Sequence, residues 1–420
     1  MKIKCYDCGK ESLETTYGNP CECGGLLEIV HDFSEADADK LKYVFQRRLS
    51  ERMSTYASGV WRYKELIYPE LAEEHIVTKR EGNTGLYGSE LIRQWLGIRT
   101  LWLKAQSENP SGSFKDNGMT VAISHGRSLG YKRFTCTSTG NTSSSLAMYA
   151  ALAGCESVVL VPSEQVSANK VLQTMAYGAK VIEFDGTYDD GIRFYEQFGV
   201  ELGLYICNSM NPFRIEGQKS IVFEIAQSLN WELPDWILIP GGALSNVTAL
   251  GKGLLDLHSL GLIDRIPRVA LIQAEGASPF HEMMIHGRRE LIPVNRPSTI
   301  ASAMNIGHPP SWRKAREFLK EHKGVTCSVT DEEIMEAKVL IDRSGIGCEP
   351  ASASTLAGLR KLMAGGTISK DESAVCILTG NLLKDTDVLR KHHFGGGPGQ
   401  ADPHRVAIAR LSLETVMSRL

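Results

Sequence analysis

Short unbroken apolar runs alternate with longer amphipathic stretches from about residue 81 onward. The runs TLWLKA, RFTCTST, SVVLVP, AKVIEF, LYICN, WILIP, RVALIQAEG and SAVCILTG have the length and β-branched content of strands. Between them DNGMTVAISHGRSLGY, SSSLAMYAALAG, SANKVLQTMAYG, IEGQKSIVFEIAQSLN, VTALGKGLLDLHSLG, DEEIMEAKVLIDRSG and PASASTLAGLRKLMAGG read as helices. Continuous apolar strands separated by helices predict an α/β fold with parallel sheets covered on both faces. Ahead of them, FSEADADKLKYVFQRRLSERM and the residues after it, to about residue 80, read as helical, polar and aromatic. HHFGGGPGQADPHR near the C-terminus reads as a mobile loop with exposed histidines. The expected organisation is a cysteine-rich unit over 1–30, a helical segment and the start of a large domain over 31–115, a small α/β domain over 116–215, and the large domain over 216–420.

Composition narrows the function class. The 420 residues are 42% hydrophobic, ample for a large core, and the formal net charge is −3. Nothing in that balance points to nucleic acid or an anionic membrane. The N-terminus MKIKCYDCGK lacks a signal-peptide core, and no run of about 18 apolar residues marks a membrane span, so a cytoplasmic location is expected.

Three motifs each follow a predicted strand and precede a predicted helix: SFKDNG, STGNTSSS and PGGALSN. In open α/β sheets ligands bind at the carboxyl ends of strands. A glycine-rich turn feeding a helix N-terminus presents backbone N–H groups to a phosphate. GGALSNVTALGKG does not meet the Walker A spacing, because Asn246 and Gly253 stand where glycine and Ser/Thr are required, and no dinucleotide fingerprint is present. Lys115, in NPSGSFKDNGM, lies near a helix start, where a cation has the less favourable sign. A lysine amine beside a phosphate cradle is what a cofactor carrying both an aldehyde and a phosphate requires.

At this point the motifs EGNTGL, NPSGSFKD, STGNTSSSLA, NSMNPFRIEGQKS, PGGALSN, RPSTIASA, EPASASTLAGL and LTGNLLKD, in this order, resemble the fold-type II pyridoxal-phosphate enzymes (tryptophan synthase β-like) and, within them, the threonine synthases. The resemblance covers nearly the whole chain. It implies that Lys115 binds the cofactor and moves the Cα proton, and that Asn141 partners the cofactor 3′-oxygen. Gly242, Ala243, Leu244, Ser245 and Asn246 would form the phosphate loop, with Thr379 facing the pyridine nitrogen. As a neutral hydroxyl, Thr379 would leave the ring a gentle electron sink. The resemblance also implies Ser138, Thr139 and Thr142 as contacts for the substrate, and Asn208, Ser209 and Arg214 as holders of its phosphate. The substrate implied is an O-phosphorylated amino acid, and a homo-oligomer is expected.

Five positions in four motifs depart from the usual threonine synthase wording: Asn117 and Asn305 where arginine is usual, Gly85 for proline, and Asn381 with Leu382 for His-Gly. Together they suggest a changed substrate or second reactant. The pattern resembles the cysteate synthases, a paralogous group in coenzyme M biosynthesis. This implies β-replacement of phosphate by sulfite on O-phospho-L-serine, with Asn117 reshaping the substrate pocket; threonine formation from O-phospho-L-homoserine is the alternative. The two substrates differ by one methylene, which binding discriminates by only about 10–200-fold.

Of the ten cysteines, Cys5, Cys8, Cys21 and Cys23 crowd the start of the chain. C-x2-C followed by C-x-C beside glycines looks like a structural zinc knuckle, with a reduced metal-free cluster as the alternative. Cys136, Cys155, Cys207, Cys327, Cys348 and Cys376 fall in apolar segments and read as small buried hydrophobes.

Overall fold

The computed structural model describes residues 1–12, 21–163, 168–199, 201–394 and 417. Its strands, in chain order, are β1 (Lys2–Cys5), β2 (Glu11–Ser12), β3 (Leu27–Val30), β4 (Leu86–Tyr87), β5 (Thr100–Ala105), β6 (Arg133–Thr137), β7 (Glu156–Pro162), β8 (Lys180–Phe184), β9 (Leu204–Ile206), β10 (Trp236–Pro240), β11 (Arg268–Ala274), β12 (Val325–Val329) and β13 (Ser373–Leu378). The larger sheet has the order β12-β11-β10-β13-β5-β4 and is parallel except where β4 closes one edge against β5. The smaller sheet, β8-β7-β6-β9, is parallel throughout.

The apolar runs look the way they do because both faces are covered. In β10 and β13, Ile237, Ile239, Val375 and Ile377 join one core. Their neighbours Trp236, Leu238, Ala374, Cys376 and Leu378 join the other. Strict alternation of side chains thus yields no polar face at all. Helices Ser245–Ser259 and Ser220–Ser228 fill the first layer; Asp331–Arg343 and Pro350–Ala364 fill the second. Cys136, Cys207, Cys327, Cys348 and Cys376 are buried in these layers, and Cys155 packs half-buried against one of them. Burial pushes the Cys136 and Cys376 thiols up to about 12, as suits inert packing.

Two sequence expectations need correction. Between residues 31 and 80 the helix runs only over Ala38–Arg48; beyond it come short turns, because Gly59 and Pro69 interrupt the pattern and aromatics such as Trp61 and Tyr63 are core plugs. The histidines of the supposed C-terminal loop, His392 and His393, lie on the helix Thr386–Phe394, and the remainder of that stretch lies outside the described residues. That helix belongs to a separate unit, 385–420, distinct from the unit formed by 1–384. Among the described residues no helix is long and apolar enough to cross a membrane.

The first unit also contains a small antiparallel sheet, β2-β1-β3, carrying the cysteine cluster. It is not an isolated bead. Tyr6 donates to Glu317 at 2.7 Å, and Lys314 lies over the Tyr6 ring. Just past β3, His31 is 2.7 Å from Glu216, a fully buried carboxylate that also binds Lys219 at 2.5 Å and Lys252. Lys219 is 2.7 Å from Asp256, and Lys252 also donates to the carbonyl of Ile29. The Lys219 and Lys252 ammonium groups, with the contact to His31, hold Glu216 far below the usual carboxylate range in spite of its burial.

Candidate active site

The sequence-marked residues stand at the carboxyl ends of strands. Lys115 follows β5 through a short turn and starts the helix Lys115–Ser128; Asn141 follows β6 and starts Asn141–Leu152; the GGAL turn follows β10 and leads into Ser245–Ser259. Thr379 lies directly after β13, and Asn208 just after β9. None of the three helices has a side-chain cap on its N-terminus, whereas Asp37, Ser89, Thr187 and Thr330 cap helices elsewhere. In Asn141–Leu152 and Ser245–Ser259 the uncapped first turns leave N–H donors and the positive dipole end directed at this end of the sheets.

Burial lowers the Lys115 amine to about 7, with the nearby Arg214 guanidinium adding to the effect and Glu349 opposing it. The lysine is half-buried, its Nζ 4.1 Å from the Phe114 ring centroid. Its neighbour Asp116 is fully buried, accepting from Ser111 N and Oγ at 2.6 Å and from Ser145 Oγ at 2.5 Å, which fixes the turn that presents Lys115. The backbone N–H of Phe114 donates to Thr379 O at 2.9 Å, so the lysine turn is stitched to the end of β13.

The phosphate-loop candidates form a built cradle. Leu244 takes a left-handed conformation, φ 64°, and Gly242 and Ala243 ahead of it are half-exposed. A Cβ at Gly242 would press on the carbonyl of Ala303 at 2.9 Å. Asn246 Nδ2 is buried and has no hydrogen-bond partner among the described residues. An unmet donor beside an uncapped helix start fits the phosphate of pyridoxal phosphate. Ser138, Thr139 and Thr142 are half-exposed around Gly140, with Gly140 N donating to Ser138 Oγ at 3.2 Å.

Several of the marked residues are buried. Asn208 is buried, its amide pairing with Thr137 N and O at 3.3 Å, and so braces the end of β6; Ser209 beside it is half-exposed. Arg214 is fully buried in the helix Pro212–Gln218 and donates to Cys207 O at 2.9 Å. Asn117 lies wholly inside the crossing of Lys115–Ser128 with the helices beyond Asn211, donating to Ser220 Oγ at 2.8 Å. Asn305 is exposed.

Glu349 stands in the motif EPASASTLAGL, but sequence reasoning gives it no role. It accepts from Asn141 Nδ2 at 2.9 Å and from Thr379 Oγ1 at 3.1 Å. A carboxylate directly ahead of a proline-started helix is the one available signal. Lys384 is likewise unmarked by the sequence; it reaches Ser144 Oγ at 3.0 Å and Gln173 Oε1 at 2.5 Å, tying the segment after β13 to helices beside the smaller sheet.

The four sulfur atoms of Cys5, Cys8, Cys21 and Cys23 all lie within 4.8 Å of one another, with Cys5–Cys23 at 3.5 Å and Cys8–Cys21 at 3.7 Å. Cys5 with Cys8, and Cys21 with Cys23, each sit in a turn closed by a left-handed glycine, Gly9 after Cys8 and Gly24 after Cys23.

Comparison with known proteins agrees with this geometry. Residues 77–380 match the family model described as pyridoxal-phosphate dependent enzyme. The chain is 44% identical over 388 residues to a threonine synthase of Methanocaldococcus jannaschii, covering 92% of this chain and 94% of that one. It is 41% identical to a threonine synthase of Methanosarcina acetivorans, covering 92% and 93%. The crystal structure of threonine synthase from Escherichia coli shares the fold, with a TM-score of 0.70 at 17% identity over 93% of this chain and 90% of that one. With a family model matched across both parallel sheets and relatives matched nearly end to end, the chain belongs to the pyridoxal-phosphate dependent enzymes of fold type II.

Proposed function

We propose that this enzyme converts O-phospho-L-homoserine and water to L-threonine and phosphate. The observation that carries the reading is the pairing of Lys115, an amine held near neutrality, with the buried guanidinium of Arg214 close enough to influence it. One group can move protons at neutral pH and the other can hold a phosphate dianion. The threonine synthases matched at 44% and 41% identity support water and phosphohomoserine over other reactants.

Bound pyridoxal phosphate would supply an electron sink for the substrate's Cα. Its phosphate would rest on Gly242, Ala243, Leu244, Ser245 and Asn246, its 3′-oxygen on Asn141 and its ring nitrogen on Thr379. Ser138, Thr139 and Thr142 would fix the substrate carboxylate, so that the Cα proton faces Lys115. Lys115 takes and returns that proton. Arg214, with Ser209 and the segment braced by Asn208, holds the phosphate as the Cγ–O bond breaks. Cβ also loses a proton as the Cγ–O bond breaks; a proton then ends on Cγ, the hydroxyl of water joins Cβ and the water's other proton leaves with the phosphate, which balances the reaction.

Of the departures behind the phosphoserine and sulfite reading, those at Gly85, Asn117 and Asn381 have local explanations. The N–H of Gly85, which proline would lack, donates to Glu108 Oε2 at 2.6 Å. The Asn117 amide serves a helix crossing. Asn381 Oδ1 accepts from Leu383 N at 3.0 Å and so closes its own turn. The deciding assay offers purified protein O-phospho-L-homoserine, and O-phospho-L-serine with and without sulfite, and measures phosphate with product identification. Threonine from phosphohomoserine is expected; sulfite-dependent cysteate with no threonine would return the enzyme to the other reading.

For the cysteine cluster we infer a single structural zinc ion. Zn–S bonds of about 2.3 Å in a tetrahedron set sulfur atoms about 3.8 Å apart, and the closest sulfur pairs lie at 3.5 and 3.7 Å. Four thiolates leave no position for substrate. Metal analysis of the purified protein tests this, with about one zinc per chain expected.

A further inference from the structure

Among the described residues a cavity of about 260 Å³ lies between the cysteine-bearing sheet and the start of the helix Trp312–Glu321. Cavities for drug-sized ligands run from about 300 Å³ upward, so this one has room for an occupant nearer the size of a single amino acid. None of Lys115, Asn141 and Thr379 lines it. Leu26, Met210, Pro310 and Trp312 give it an apolar wall. Two of its polar groups are already engaged. Tyr6 donates to Glu317 at 2.7 Å, and Lys314 lies over the Tyr6 ring, 3.4 Å from Leu27 O and 3.5 Å from Glu28. Asp7 and Arg313 differ from these. They line the cavity with opposite charges 3.6 Å apart, beyond hydrogen-bond reach, and the other carboxylate near that guanidinium, Glu290, stands 3.7 Å away. Exposed pairs this loose contribute little to stability, so both partners are open to a ligand. A Cβ at Gly25 would stand 2.5 Å from Asp7 Oδ2, so that glycine gives the carboxylate its place. The Trp312 ring backs the guanidinium, whose Cζ lies 4.9 Å from the ring centroid.

We propose that this cavity is a second amino-acid site, which holds a free α-amino acid with an apolar side chain. Such a zwitterion carries its two charges on one carbon. Its ammonium answers Asp7, its carboxylate answers the fork of Arg313, and its side chain lies on the apolar wall. The site adjoins the chemistry without containing it. Met210 stands between Ser209 and Asn211, the residue that caps the arginine-bearing helix. The N–H of Ser311 donates to the carbonyl of Ala243 in the GGAL turn at 3.4 Å. A bound amino acid therefore braces both segments marked for holding phosphate, and joins the cysteine-bearing sheet to them.

The test is isothermal titration calorimetry of the full-length, borohydride-reduced holoenzyme, in which the cofactor is fixed and cannot react with an added amino acid. L-Leucine and L-methionine are the probes. At least one of them is expected to bind at one site per chain, in the millimolar range or tighter, and to raise the melting temperature. L-Leucinamide lacks the carboxylate and isocaproate lacks the ammonium. Each is expected to bind about tenfold more weakly than leucine or worse, since one charge of the cavity then has no partner. Asp7→Asn and Arg313→Gln should each abolish binding. Absence of heat with both amino acids overturns the site, and so does leucinamide or isocaproate binding as well as leucine; both results come from the wild-type chain, whatever the variants do. Binding that persists unchanged in both variants places the amino acid elsewhere and overturns it too.

Discussion

Gly217 lies so close to the carbonyl oxygen of Asn117 that a Cβ on it would overlap that oxygen. One turn away, a Cβ at Gly118 would stand 2.7 Å from the carbonyl of Arg214. These two glycines let the lysine-bearing and arginine-bearing helices touch backbone to backbone. Gly217→Ala is expected to push them apart, costing about 1–3 kcal/mol in stability. The lost register between Lys115 and Arg214 should raise KM for the phosphorylated substrate several-fold. Urea unfolding and steady-state kinetics check the two effects separately.

Asn117→Arg gives the sharpest view of the departures from usual wording. The amide is fully buried against Ser220, and a guanidinium there overpacks the crossing. A loss of about 1–3 kcal/mol is expected from packing alone, with the identity of the product unchanged. A switch of product in this variant would make Asn117 a specificity residue after all.

The Lys115 amine, lowered from 10.5 to about 7, predicts how the protein takes up its cofactor. Only the neutral amine attacks an aldehyde. Uptake by cofactor-free protein should therefore slow about tenfold per pH unit below 7 and level off above it. Stopped-flow absorbance measures the rate. A profile still climbing above about pH 9 would mean an amine with the ordinary lysine value. Lys115→Ala should form no coloured adduct at any pH.

Glu216 is expected to matter to stability far from the chemistry. Glu216→Gln leaves Lys219 and Lys252 without their shared carboxylate, at a cost of about 3–5 kcal/mol near pH 7. Because the folded-state value is depressed, the stabilisation is present in full above the ordinary carboxylate value of 4.5 and is lost as pH falls below it. The gap between wild type and variant in urea unfolding should therefore narrow on acidification.

For the zinc proposed at the cysteine cluster, treatment with a chelator, or the substitution Cys8→Ser, is expected to lower the melting temperature. The turnover of the protein that remains folded should be unchanged, because four thiolates around one ion leave no open position for a substrate.

Most of the frame is readable in the sequence because continuous apolar runs can only be strands buried on both faces. β12 escapes that reading: VTCSV has only three apolar residues and a threonine and serine between them. The run IEGQKSIVFEIAQSLN looks like one helix but divides at Lys219, whose amine is drawn to Glu216 and Asp256. Lys115, Asn141, Thr379 and the GGAL turn can be marked because each sits in a short contiguous motif. Glu349 cannot, since its meaning arises only where residues 141, 349 and 379 meet. Asn117 misleads for the opposite reason: a motif position beside the lysine turns its side chain to a neighbouring helix.

The buried charges around Glu216 bear on where this enzyme can be cut. A chain begun at residue 32 would lose His31 and the Ile29 carbonyl, two of the walls that enclose Lys252 and Glu216. Water would enter a cluster whose members lie on the arginine-bearing helix and on the helix that leaves the GGAL turn. The cysteine-bearing sheet is therefore no detachable ornament. A minimal catalytic fragment must either retain it or have the charges of Glu216, Lys219 and Lys252 rebuilt as packed apolar side chains.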